Sequence, residues 1–137
     1  MIHLLKAGDI MAYVLIEKEI NDLEIVAYNL SNLAIKEGYY TNVVGDSNEA
    51  TTYIYKDRFF KDVIGTPTAI KITYKKRSNG ISIDIDIAKL EVNGENIVKE
   101  TLLVLTVLPM ISKLSQFVKI KNRAKILAIK ALNISEV

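Results

Sequence analysis

The stretch Ile70-Lys71-Ile72-Thr73-Tyr74-Lys75-Lys76-Arg77, followed by Ser78-Asn79-Gly80 and then Ile81-Ser82-Ile83-Asp84-Ile85-Asp86-Ile87-Ala88, alternates apolar and polar residues on both sides of an Asn-Gly pair. Alternation with a period of two is the mark of a strand with one face buried, and Asn-Gly between two such runs is a strong hairpin signal. With Asn79-Gly80 as a two-residue loop, Tyr74 is expected opposite Ile85 and Ile72 opposite Ile87. The other face then sets Lys75 against Asp84 and Thr73 beside Asp86. A slip of one residue would bury the charges and expose the isoleucines, so the choice of face is strongly specified.

Working outward, Tyr39 to Val44 and Ala50 to Lys56 are rich in tyrosine, threonine and β-branched residues, with the turn-forming Gly45-Asp46-Ser47-Asn48 between them. They read as a second hairpin. Asp57 to Gly65 reads as a loop that tucks Phe59 and Phe60 under the sheet, and Pro67 stands at a strand entry, where proline is tolerated. Upstream, Tyr13, Ile16, Ile20, Leu23, Ala27, Leu30 and Ala34 recur at spacings of three and four, widened by Val26 and Leu33. The reading is one long helix over Tyr13 to Glu37, stopped by Gly38, and about 37 Å long at 1.5 Å per residue. Downstream, Asn93-Gly94 closes the sheet and Asn93 or Asn96 caps the next helix. From Ile97 the apolar residues follow helical spacing through Val118, with Pro109 kinking or splitting the run. A break near Phe117–Lys121 separates a last helix from about Asn122 to Leu132.

The expected fold is α+β: a long N-terminal helix, an antiparallel meander of three to four strands, and C-terminal helices packed on one face of the sheet. All 137 residues are read as one domain, large enough to bury roughly two-thirds of the surface its unfolded chain exposes. Residues 1–11 are set apart as a candidate disordered terminus. They lack the basic start, full apolar core and cleavage site of a signal peptide. The most apolar run, Thr101 to Ile111, is about half of what a membrane span needs, so no membrane span is expected.

Composition narrows the chemistry. There is no cysteine, which excludes disulfides and thiolate metal sites and makes an intracellular, cytoplasmic setting the simpler expectation. His3 is the only histidine and lies near the terminus, so histidine-based nucleophile systems have a single possible source. Asp84 and Asp86 share one strand face roughly 7 Å apart, a spacing that suits a hard cation. Pairing with Lys71, Lys75 and Arg77 across the hairpin explains them better. No glycine-rich phosphate loop occurs. The expectation is a non-enzymatic protein with no cofactor and no metal.

Three binding readings remain. Residues 101–135 carry six bases, Lys113, Lys119, Lys121, Arg123, Lys125 and Lys130, and no acid, whereas residues 1–50 carry eight acids against three bases. Lys119, Lys121, Arg123 and Lys125 are the electrostatic candidates for nucleic acid, although a sequence pI near 8.7 is modest for that role and the reading is not favoured. The same asymmetry equally fits an acidic helix lying beside a basic one, within one molecule or between two. Tyr28, Tyr40, Tyr53, Tyr55, Phe59 and Phe60 are candidates to line a pocket between sheet and helices for an apolar or amphipathic small ligand. The leading reading is self-association or protein-partner binding through the C-terminal helices. A sheet of three or four strands covers two helices at most, leaving the stripe Ile120, Ala124, Leu127 and Ala131 for another chain, and a symmetric homodimer is the commonest way to cover it.

Overall fold

A computed structural model describes residues 12–55, 68–93, 96–101 and 111–135. The elements are β1 (Ala12–Ile16), α1 (Leu23–Lys36), β2 (Tyr40–Gly45), β3 (Glu49–Tyr55), β4 (Thr68–Arg77), β5 (Gly80–Asn93), β6 (Asn96–Thr101) and α2 (Ile111–Ile134). The sheet is antiparallel and follows the path β1-β5-β4-β3-β2, with β6 added to β5 beyond it. The fold is α+β, with more strands than the three to four expected. The expectations for residues 1–11, Phe59, Phe60, Pro67 and Pro109 lie outside the described residues.

The hairpin that decides the fold is present in a register two residues from the expected one. Arg77 pairs with Gly80, so Ser78-Asn79 is the turn; Tyr74 faces Ile83, Ile72 faces Ile85 and Lys71 faces Asp86. A shift of two preserves the choice of face. Ile70, Ile72, Tyr74, Ile81, Ile83 and Ile85 are all buried in the core. The reason for the shift is tertiary. Gly80 has φ +146°, and a Cβ there would lie 2.2 Å from the carbonyl oxygen of Ile16 at the end of β1. The glycine serves this close backbone approach, and neither Ser78 nor Asn79 takes a positive φ.

The long first helix is corrected to a strand and a shorter helix. Tyr13 to Ile16 form β1, paired with Ile81–Ile85 of β5, and exposure alternates along them: Tyr13 and Leu15 are exposed, Val14 and Ile16 half-buried. The helix begins where its cap is supplied. Asp22 accepts from the Glu24 N–H at 3.0 Å, and the 14 residues of α1 extend about 21 Å. It ends at Gly38, φ +90°, with the Tyr39 N–H donating to Ala34 O and the Gly38 N–H to Ile35 O. That paired arrangement satisfies the last carbonyls and needs a residue free to adopt positive φ.

Two further corrections concern the C-terminal part. Asn96 to Thr101, expected at the head of a helix, form β6 and pair with Lys89–Asn93. The β-branched Ile97, Val98 and Thr101 suit the strand. The break near Phe117–Lys121 is absent; α2 runs unbroken over Ile111–Ile134.

Both helices cover the isoleucine face. Leu23, Val26, Ala27, Leu30 and Ala34 of α1 and Ala124, Leu127, Ala128, Ala131 and Leu132 of α2 close the core. Three hydrogen bonds lock layer to layer. The Tyr74 hydroxyl donates to Ala128 O at 2.8 Å, Thr52 Oγ1 donates to Ala27 O at 2.9 Å, and the Ser31 and Thr41 hydroxyls bond to each other. The helices lie antiparallel, because Arg123 meets Glu37 at one end and Asn29 Nδ2 donates to Ser135 Oγ at the other.

Candidate functional site

The stripe expected to remain for another chain is used inside this one. Ala124, Leu127 and Ala131 are buried against α1 and the sheet, and Ile120 packs half-buried beside them. The expectation counted three helices; with Asn96 to Thr101 in a strand and α2 unbroken, the described residues hold two, and the sheet takes both, α1 over β2, β3 and β4 and α2 over β4 and β5.

A different apolar stripe faces outward. On α1, Leu23, Val26, Ala27, Leu30 and Ala34 point to the core, while Ile25, Tyr28 and Ile35 are 54%, 53% and 54% exposed. With the exposed Asn32, these positions follow a 3-4-3 spacing that puts them on one line, diametrically opposite Leu30 at 100° per residue. The helix is therefore apolar along two opposite sides, the outer one interrupted by a single amide. Asp22 and Glu24 lie at the N-terminal end of the outer line and Lys36 at its C-terminal end. Ile126 of α2 adds another exposed isoleucine to the helical layer. Sequence reasoning placed Tyr28 in a pocket and passed over Ile25 and Ile35. The available signal was a second apolar line at helical spacing on a helix whose first line already accounts for its burial.

The aromatic residues assigned to a pocket between sheet and helices are distributed otherwise. Tyr40, Tyr53 and Tyr55 lie on the sheet face turned away from the helices, where Tyr40 and Tyr55 stack with ring centroids 5.7 Å apart. Tyr53 packs with Ala69 and Ala88 in a small second cluster, with Tyr55 against it. The space between sheet and helices is filled by the core, including Tyr74, Leu23 and Leu30 with no exposed surface. The same outer face carries the Lys75–Glu49 ion pair at 3.1 Å and the cross-strand Lys71–Asp86 neighbours. Tyr13, Leu15 and Val44 are exposed toward its two edges.

The basic candidates do not form one row. Successive alternate positions on a helix step by about 200°, so Lys119 and Arg123 fall on one side and Lys121 and Lys125 on another. Lys119 is exposed, Lys121 is buried and Lys125 half-buried. Arg123 is engaged: Nε and Nη2 each donate to the Glu37 carboxylate at 3.0 Å, and this carboxylate holds the guanidinium pKa above its ordinary value. Burial, then the Glu37 carboxylate, pushes the nearby Tyr39 phenol up, with Arg123 pulling the other way.

A cleft of about 610 Å³ opens between the β1–α1 connection and the β4–β5 turn, lined by Glu17, Glu19, Asn21, Lys76 and Arg77 among others. Its cations are already used: Lys76 Nζ donates to Asn21 O at 2.6 Å and Arg77 Nε to Ser82 Oγ at 3.1 Å. Among the described residues, no three His, Asp or Glu side chains gather as metal ligands, and no helix is long and apolar enough to cross a membrane. Compared with protein-family models, curated proteins and solved structures, the chain matches none.

Proposed function

We propose that this chain is a non-enzymatic protein that acts by binding another polypeptide, self-association included, through the outer side of its helical layer. One observation carries the reading: α1 presents Ile25, Tyr28 and Ile35, each more than half exposed, on the side opposite its buried stripe. Fold stability requires only one apolar line on such a helix, and a second one left in water favours association. The lack of cysteine fits an intracellular setting.

A photo-reactive residue substituted for the exposed Asn32, in the middle of the line, tests this. The expected result is a polypeptide adduct at that position, in purified protein or in extract of the producing cell. The absence of a polypeptide adduct in both would overturn the reading.

A further inference from the structure

We infer that the occupant of this line is a second copy of the chain, laid antiparallel on α1 about a two-fold axis near Leu30. The inference rests on the reading that the outer side of α1 binds a polypeptide. Three features of α1 favour this occupant and this direction.

The first is spacing. Ile25, Tyr28, Asn32 and Ile35 recur at three, four and three residues, the seam over which two helices interlock side chains. A single asparagine in such a seam lowers affinity but narrows the choice of register, because a register that sets it against Ile25 or Ile35 buries its amide unpaired. The second feature is size. An axis near Leu30 sets Ile25 of one copy against Ile35 of the other, and the large Tyr28 ring against the smaller Asn32, whose amide then has a phenol hydroxyl as neighbour. A parallel pairing would instead stack Tyr28 on Tyr28 and Asn32 on Asn32, leaving one layer crowded and the next thin. Paired asparagines also satisfy each other, so volume and charge rather than hydrogen bonding decide the direction.

The third feature is charge. The first turn carries Glu24 with Asp22 before it, and the last turn carries Lys36. The antiparallel arrangement brings Lys36 of each copy to the acidic end of the other, whereas a parallel one opposes like charges at both ends. A net charge of +2 per chain adds little repulsion. The isologous contact uses the same line twice and closes on itself, so it gives a dimer rather than a filament.

Sedimentation equilibrium at high micromolar concentration should return twice the chain mass for the wild type. An Ile25→Ser/Ile35→Ser variant should dimerise at least about tenfold more weakly. Its melting temperature at low protein concentration should be unchanged, because both side chains already face water. Direction is read by disulfides, which have no cysteine background in the described residues. A Tyr28→Cys chain and an Asn32→Cys chain, oxidised together, should join to each other in preference to their own kind. A wild-type monomer at that concentration, a dimer untouched by the double substitution, or preferential joining of like chains would each overturn the inference. If the wild type is monomeric while the probe at position 32 captures a different polypeptide from extract, the second copy is ruled out and the proposed function survives. If the probe captures no polypeptide in either setting, both fail.

Discussion

Two glycines and one tyrosine carry strain and burial that single substitutions will expose. Gly38 and Gly80 both hold positive φ, but a Cβ at Gly38 meets nothing within 4 Å, whereas at Gly80 it meets the Ile16 backbone. Gly38→Ala is expected to lose about 1 kcal/mol, the ordinary cost of a left-handed alanine. Gly80→Ala should lose about 3 kcal/mol, since β1 must also move away. Urea denaturation of the two variants measures the difference. Tyr74 is fully buried, and burial raises its phenol pKa far above the ordinary value of 10.0. A raised pKa leaves its contribution intact below about pH 10; above that the unfolded chain ionises while the folded one does not, and stability falls. Below about pH 10, Tyr74→Phe should be less stable by about 1 kcal/mol through loss of the bond to Ala128. Above it, the gap should close by about 1.4 kcal/mol per pH unit and reverse. Denaturation curves of both proteins between about pH 8 and about pH 11, spanning the ordinary phenol range, check the sign. Tyr74 was legible as an inward residue because alternation fixes its face. The role of Gly80 was not, because the backbone it must clear belongs to a distant strand that local pattern does not locate.

The elements divide by how unambiguously their pattern repeats. The two central hairpins were readable because alternating β-branched residues leave no helical alternative. Tyr13-Val14-Leu15-Ile16 is apolar at every position, so it satisfies a period of 3.6 as readily as a period of two. Its partner on β5 decides the matter. The apolar run after Asn96 to Thr101 carries a helical pattern back over them, although the edge of β5 takes that segment as a strand. The true start of α1 was marked by Asp22, a good cap standing before Leu23. Asp22→Ala should destabilise the fold by about 1 kcal/mol and lower the melting temperature by several degrees, whereas Asp22→Ser should recover most of the loss. Circular dichroism melts of the three proteins suffice. A null effect of the alanine variant would show that packing of Leu23 alone sets the helix start.

At the scale of the whole molecule, sequence alone divided the apolar surface wrongly between inside and outside. The number of helices determines how much sheet is shared out, and reading Ile97 to Leu132 as two helices instead of a strand and one helix makes the α2 stripe look spare. With α2 seated on the sheet beside α1 the surplus moves to α1, at Ile25, Tyr28 and Ile35. If two copies pair there, the melting temperature of the wild type should rise with protein concentration, and that of the Ile25→Ser/Ile35→Ser variant should not. Differential scanning calorimetry over roughly a hundredfold dilution range would separate the two. The placement of α2 has one more consequence. It is the last described element of the chain, yet Ala124, Leu127, Ala128, Ala131 and Leu132 form half the roof over the isoleucine face. A chain still attached to its ribosome therefore keeps the half of that face beneath α2 open to the cell until α2 has been translated. During that interval the nascent protein is a natural client for chaperones that shield apolar sheets, and premature termination before α2 should yield an insoluble product.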